Sequence, residues 1–494
     1  MSEKIKIGWS EVSITPGEKI SLAGQFFERV TDVVESEITV TAFALESGSE
    51  QMIICSCDLA SIAANLCALV KEKLKDRLPI STDKVIISAI HSHTSHVYKR
   101  SPRVGGSPLA VLKQLVPENM RYKPLVSNEQ CMAPEDALYY LADRIAEAAL
   151  NAWENRKPGY YANAFGRAAV GMCRRVCYDD GSAKMWGDTN QANFDALEGG
   201  NDSGIELIYT FDADKKLNGV IANIACPAQV VEHRSFISSD YWGKVKEYLR
   251  EKYGADLKVL GLCSAAGDQC PRDLIRFVEP ESPIDDPNME RDHVIKRIAD
   301  PSMFDVSGLK LVGRRIANEI AFVYEEMPLT LKDEGLLIHE TVTMELPLRR
   351  VTIKEYNESM AVIENFIKDH AGQEITYEDN AKLHIHTGNI ARFRAQQEHE
   401  LVYEEIHIIR FGDIAIATNP FELFLNYGNQ IRARSLAKQT FIIQLACGSE
   451  GYLPTEKAEK GSHYSAYVTS GVVGHEGGDI LVRQTVSRIN KMFR

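Results

Sequence analysis

Three histidines stand two and three residues apart in Ser88-Ala-Ile-His91-Ser-His93-Thr-Ser-His96. Imidazole is the commonest metal ligand and the side chain that titrates nearest neutrality. An apolar run, Val85 to Ile90, leads directly into them. Alternate strand residues point the same way, so a strand continuing through the motif would put His91 and His93 on one face. That face would lie at the strand's carboxyl end, where open α/β sheets gather ligands. The expectation is a metal-centred site. Taken alone, the pattern equally fits surface or core histidines in a polar loop, so the rest of the chain has to decide.

The elements that position such a site follow from periodicity. Ile38 to Leu45 alternates apolar and polar residues, and Met52 to Cys57 is a short buried-type strand. An amphipathic helix follows, with Ile62, Leu66, Leu69, Val70 and Leu74 on one stripe. Residues 99–134 form a polar, Pro- and Gly-containing segment too long for an ordinary connection, and such loops usually carry function. Pro134, at the favoured first position, opens a helix through Trp153. Ile205–Phe211 with Leu217–Ala225, and Ile406–Arg410 with Ile414–Thr418, read as hairpins. Leu257–Leu262 and Phe441–Ala446 read as strands, and residues 306–326, 353–370 and 422–434 as helices. No internal repeat or linker is visible. The expected fold is α/β, a multi-layer sandwich of mixed sheets flanked by helices. It forms a single large domain over 1–494, with 328–394 as a possible added lobe.

Composition narrows the function. The chain has 494 residues, 44% hydrophobic and 25% charged, as expected of a globular protein with a sizeable core. A net charge of −13 argues against nucleic-acid binding, which needs a basic face. The first residues show no apolar leader core, and no apolar run approaches the ~20 residues of a membrane helix. The cysteines are scattered, several within apolar runs, and read as small core hydrophobes of a reduced, cytoplasmic protein. The partner expected is a small-molecule substrate.

Several motifs, in order, resemble the catalytic domain of the neutral (alkaline, non-lysosomal) ceramidase family. Gly8-x4-Ser13-Ile14-Thr15-Pro16 is similar to its G-x4-D-I-T-P start, and Ser56-Cys57-Asp58-Leu59 to S-A-D-L. Ser88-Ala-Ile-His91-Ser-His93-Thr-Ser95 resembles S-A-T-H-T-H-S, and Gly267-Asp268-Gln269-Cys270-Pro271-Arg272 resembles G-D-V-S-P-N. Asn419-Pro420-Phe421-Glu422 is similar to V-P-G-E, and Glu450-Gly451-Tyr452-Leu453-Pro454-Thr455 to S-G-Y-V-T-T. Together they span nearly the whole chain.

The resemblance implies a zinc-dependent amide hydrolase. Carried over by position, it implies Zn²⁺ ligands at His91, Glu422 and Tyr452, a donor set suited to zinc with an open position for water. Where the family has a further histidine, this chain has Pro227. His233, shortly before the Ile237-Ser-Ser-Asp240 match, is expected to replace it. Cys226 is the alternative, and loss of a ligand with weak or no metal binding is a third. His93 is the candidate proton shuttle, and Tyr464, twelve residues after Tyr452, the candidate donor to a developing oxyanion. Arg174 would clamp a polar or anionic substrate group. Cys270 stands where the family has a serine and is either a nucleophile or, preferably, pocket-lining. Asp268 is expected to orient a ligand histidine. His384, His386, His399 and His407 are read as structural.

The substrate is not fixed by the resemblance. The expected absence of a leader and of the family's C-terminal immunoglobulin-like domain argues against ceramide. So does the polar segment from His96 through Arg100, and all three favour a soluble polar substrate. The expectation is a zinc-dependent hydrolase cleaving an amide by a zinc-activated water. A glycoside-processing hydrolase or lyase and a non-catalytic binding relative stand as alternatives.

Overall fold

A computed structural model describes residues 3–123, 130–285 and 294–494. The three largest sheets among the described residues share one plan. The first holds β1 (Ile5–Ser13), β2 (Thr39–Ser47) and β3 (Glu50–Cys57) as an antiparallel meander. Helix α1 (Ala64–Leu74) then crosses over to β4 (Val85–Ala89), which pairs parallel with β3. β2 is buried on both faces, because the helix Pro134–Glu154 packs over this sheet on one side and the strand Lys258–Cys263 meets it on the other. After β4 come α2 (Pro108–Leu115) and α3 (Pro134–Glu154). α3 lies so close that a Cβ on Gly8 would sit 1.9 Å from the Ala152 carbonyl oxygen, which is why the first strand needs glycine there.

The second sheet repeats the plan. β5 (Tyr160–Cys173), β6 (Asp202–Phe211) and β7 (Leu217–Ile224) form the meander. α4 (Tyr241–Tyr253) crosses to β8 (Lys258–Cys263), parallel to β7, and α5 (Asp305–Glu326) packs on α4 and β5. The third contains β9 (Leu337–Pro347), the helical pair α6 (Ile353–Asp369) and α7 (Tyr377–Ala395), then β10 (Leu401–Phe411) and β11 (Ile414–Thr418). A two-residue strand, β12 (Glu422–Leu423), leads into α8 (Leu425–Arg434). α8 crosses to β13 (Gln439–Ile443), parallel to β11, and β14 (Tyr452–Leu453) follows.

This threefold plan is absent from the sequence as residue identity. What repeats is hydrophobic patterning, three antiparallel strands, a helix and a parallel strand, and many side chains satisfy it. The three parallel strands converge. Ala89 donates its backbone N–H to the Leu445 carbonyl, Cys447 to Ile87, and Gln444 to Cys263. Their carboxyl ends therefore open into one crevice, where open α/β folds bind ligands.

Three expectations shift. β9 pairs along its whole length with β10, so the lobe expected at 328–394 reduces to α6 and α7. These pack with α2 around Val111, Leu112, Ile363, Leu383 and Ile390, a small core of their own. The expected helix from Glu422 starts at Leu425, because Glu422 and Leu423 give their backbone groups to Gly451 and Gly267. The polar segment contains α2, and 124–129 lies outside the described residues.

Candidate active site

The chain leaves β4 by a sharp turn. His91 has φ of +70°, a left-handed conformation costly for a side-chain-bearing residue and held here by its surroundings. Ile90 donates to the Cys57 carbonyl and Ser92 to the Leu59 carbonyl. This turn, rather than strand alternation, brings His91 and His93 together, with ring centroids 4.7 Å apart. Glu422 and Tyr452 are neighbours for a different reason. β12 and β14 pair in parallel with these two residues in register, and the Glu422 N–H donates to the Gly451 carbonyl at 2.8 Å. A Cβ on Gly267 would meet the Glu422 carbonyl oxygen at 2.3 Å, so only glycine lets that loop support the carboxylate strand.

Hydrogen bonds fix where the imidazole protons sit. His91 Nδ1 lies 2.6 Å from the Ala60 carbonyl oxygen, which can only accept, so Nδ1 carries hydrogen. Gln229 Oε1 accepts from Arg174 Nη1 at 3.0 Å, which turns the Gln229 amide nitrogen toward His93 Nε2 at 2.8 Å. His93 Nε2 therefore accepts, and its Nδ1–H faces Glu232 Oε2 at 3.1 Å. That leaves His91 Nε2 between two acceptors, His93 Nε2 at 3.2 Å and Glu422 Oε2 at 3.4 Å. Three lone pairs converge there. Only an extra proton or a cation can make that arrangement attractive.

Burial shapes the charges. It lowers the His93 pKa, against the pull of Glu232. It would raise the Glu422 carboxyl, but His91, Arg174 and a hydrogen bond from Tyr452 bring it down to about 2. Burial and Glu422 push the Tyr452 phenol well above its usual value, and burial with Glu422 raises Tyr464 as well. Tyr452 and Tyr464 meet edge to face at 5.5 Å. A cavity of about 330 Å³ opens on this cluster, lined by His91, His93, Glu422, Tyr452, Tyr464 and Arg103 among others.

Across its whole length the chain superposes on two solved structures. One is a crystal structure of neutral ceramidase from Pseudomonas aeruginosa, with a TM-score of 0.67 and 15% identity over 99% of this chain and 74% of that one. The other is a ceramidase complexed with C2, with a TM-score of 0.65 and 13% identity over 99% and 75%. The chain has a neutral ceramidase-like fold. No family model matches the sequence, and no curated protein does.

Not every expected residue reaches the crevice of this ceramidase-like fold. His91, His93, Glu422, Tyr452 and Tyr464 do. His233 does not: its side chain is 42% exposed, stacks on Phe304 and faces Asp305 at 3.6 Å. Its neighbour Glu232 points inward instead. Arg29 sets that turn by donating to the carbonyls of Glu232 and Arg234 at 2.7 and 2.8 Å, and to that of His93 at 2.7 Å. Cys226 is also outside the cluster, its thiol buried against the Val170 carbonyl.

Arg174 is within reach but otherwise engaged. Its guanidinium donates to Gln229, the Gly267 carbonyl and the Tyr452 hydroxyl, so it positions these groups rather than clamping a substrate. Burial raises the Cys270 thiol to about 12, and its sulfur faces the Arg272 carbonyl, which leaves it no nucleophilic thiolate at neutral pH. Asp268 accepts from the Leu425 N–H at 2.8 Å and so anchors the start of α8, not a histidine. His96, at the crevice edge, donates its Nε2–H to the Ile14 carbonyl at 2.8 Å.

Gln229, Glu232, Arg29 and Gly24 were missed. Gly24 has φ of +96°, and a Cβ there would lie 2.3 Å from the His93 ring. No local signal marks these residues, because each matters through a partner 64 or more positions away.

Among the described residues, the one set of three His, Cys or carboxylate donors mutually within 4.8 Å is Cys67, Glu405 and Cys447. There the carboxylate is already neutralised, with Lys71 Nζ 2.6 Å from both oxygens of Glu405. At the crevice, His91 reaches both His93 and Glu422, while Gln229 already engages the His93 lone pair. The donors closest to one another there are His91 and Glu422, with Tyr452 paired in register beside Glu422. The 3.4 Å separation of His91 Nε2 from Glu422 Oε2 matches the edge of about 3.3 Å of a zinc tetrahedron with ~2.0 Å bonds. The Nδ1–H of His91 on a backbone carbonyl is the usual support of a metal-bound histidine. The residues present fit zinc.

Proposed function

We propose that the protein is a zinc-dependent hydrolase that cleaves an amide bond of a soluble, polar small molecule. One observation carries the reading: His91 Nε2 lies 3.2 Å from His93 Nε2 and 3.4 Å from the Glu422 carboxylate, a gathering of donor atoms that a bound cation would hold together. The fold shared with neutral ceramidases supports it. So does the open cavity, since a structural metal site would be closed by its own ligands.

His91, Glu422 and Tyr452 would hold the metal. Zinc bound there supplies a Lewis acid and acidifies a nearby water. The chain's own groups do the rest. The Ala60 carbonyl fixes the His91 ring and its tautomer. His93, neutral and with Nε2 held by the Gln229 amide, takes a proton at Nε2 when Gln229 yields, and Glu232, 3.1 Å from Nδ1, steadies the resulting cation. The same proton then goes to the leaving amine. Tyr464, at the cavity wall beside Tyr452, donates its phenolic hydrogen to the developing oxyanion.

A cytoplasmic setting goes with this proposal, supported by ten free thiols, most of them buried. No helix among the described residues is long and apolar enough to cross a membrane. The test is product chemistry. Purified protein is incubated with N-acyl compounds and with glycosides, and free amine and reducing sugar are measured. Amine release abolished by Glu422→Ala is the expected result. Sugar release without amine release would replace the reading by a glycoside-processing one, and neither product would end it.

A further inference from the structure

The cavity has a second chemical feature in its lining. Arg100 and Arg103 both line it, from the segment that follows His96. Each is pinned by one edge only. Arg100 Nη2 donates to Ser449 Oγ at 2.6 Å, and Arg103 Nε to the Ser449 carbonyl at 2.8 Å. Among the described residues, no further hydrogen bond or ion pair occupies the terminal nitrogens of Arg103. Both guanidinium groups bond the same residue, Ser449, so the two cations stand close together. Two partly satisfied guanidinium forks side by side, open to a cavity, are the arrangement that recognises an oxyanion by paired N–H donors.

The strap bearing them is built, not loose. Asn65 brackets it, donating to the Lys99 carbonyl at 2.9 Å and accepting from the Ser101 N–H at 3.0 Å. Beyond Arg103 the chain is clipped to α7. Arg392 Nε donates to the Gly105 carbonyl at 3.2 Å, and a Cβ on Gly106, at φ +86°, would meet the Ala391 carbonyl oxygen at 2.7 Å. Arg392 also holds the Gly471 and Val472 carbonyls. The helical pair α6–α7 thus serves to fix the cationic wall, which gives this lobe a purpose.

We propose that Arg100 and Arg103 form an oxyanion-binding subsite beside the candidate metal centre, and that the substrate carries a carboxylate or phosphate group close to its scissile bond. An N-acyl amino acid or an N-acyl aminophosphonate has that chemistry. The assignment rests on the hydrolase reading for what happens to the substrate, but not for its binding.

Binding is therefore measured directly. Calorimetry compares N-acetylglycine, N-acetylaminomethylphosphonate and neutral N-acetylglycinamide on the purified protein and on R100Q/R103Q. The expected preference of wild type for an anionic probe is about tenfold or more, the worth of one good charged pair. R100Q/R103Q should abolish it and leave the amide's affinity unchanged. R100K/R103K should restore part of it, which separates charge from fold. Which anion binds tighter decides between carboxylate and phosphate. Equal binding of charged and neutral probes, no binding of either anion, or a preference that survives R100Q/R103Q would overturn the proposal. Amine release, scored separately, keeps the two readings apart. An anion preference without hydrolysis sinks the hydrolase and leaves the subsite, and hydrolysis without preference does the reverse.

Discussion

Arg174 offers the sharpest test of how the crevice is held together. It is 3% exposed, and its guanidinium serves three acceptors, Gln229 Oε1 at 3.0 Å, the Gly267 carbonyl at 3.1 Å and the Tyr452 hydroxyl at 3.3 Å. Burial works against its charge. The fields of Tyr452, Cys270, Glu422 and Glu232 outweigh burial and hold its pKa above the usual value. Arg174→Met keeps the volume and removes both the charge and the donors. Each orphaned acceptor would cost about 1–3 kcal/mol alone. Because the three share one network they do not add, and losing one partner of a buried charge cluster costs roughly 3–5 kcal/mol in all. Unfolding entropy of ~2.1 cal/mol/K per residue gives about 1 kcal/mol per degree for a chain this long, so Tm should fall by about 3–5 °C. Differential scanning calorimetry on metal-free protein reads it, with Arg174→Lys expected between the two. A drop below about 1 °C would refute the reasoning, since it would mean the guanidinium is not committed to these partners.

Other outcomes follow from single contacts. Gly24→Ala should shift the His93 ring and cost about 1–3 kcal/mol, from positive φ and from the overlap with that ring, read as a lower denaturant midpoint at unchanged slope. Cys270 should resist iodoacetamide in the native protein at pH 7.5 and react once unfolded; rapid native labelling would contradict its burial. His407 lies between Glu405 and His339, and although burial opposes its charge, Cys447 and Glu405 raise its pKa to about 9. Its contribution is fully present below the unfolded value near 6.5 and is lost as pH rises through 9. Stability should therefore decline across that window in wild type and much less in His407→Gln, as followed by urea midpoints against pH.

The parts of the site legible in the sequence were those whose neighbours are local or whose residue type announces chemistry. His91 and His93 stand out by their spacing, although a turn and not the expected strand joins them; Glu422 and Tyr452 were expected from the resemblance to neutral ceramidase motifs, and the structure gathers all four. The alternating strands and the helices at 64–74 and 134–154 were legible because burial imposes a period. What failed was direction. Glu232 and His233 are adjacent, and nothing in their identities says which one turns inward; Arg29, two hundred positions away, decides it by gripping the turn's carbonyls. Arg174 was expected to clamp substrate because its motif resembles one whose arginine lines the site, but its terminal nitrogens bond a glutamine, a carbonyl and a phenol. The real cationic wall came from Arg100 and Arg103, in a segment whose order depends on Arg392 in α7. Gly267 and Gly24 matter through backbone approaches that no pattern reveals.

Metal content is the measurement closest to the central claim. Protein purified without chelator is assayed by inductively coupled plasma mass spectrometry, beside Glu422→Ala, His91→Ala and His233→Ala. The expected result is about one equivalent of zinc per chain in wild type and in His233→Ala, lost in the other two. Wild type without stoichiometric metal, or zinc retained when His91 and Glu422 are removed, would contradict it.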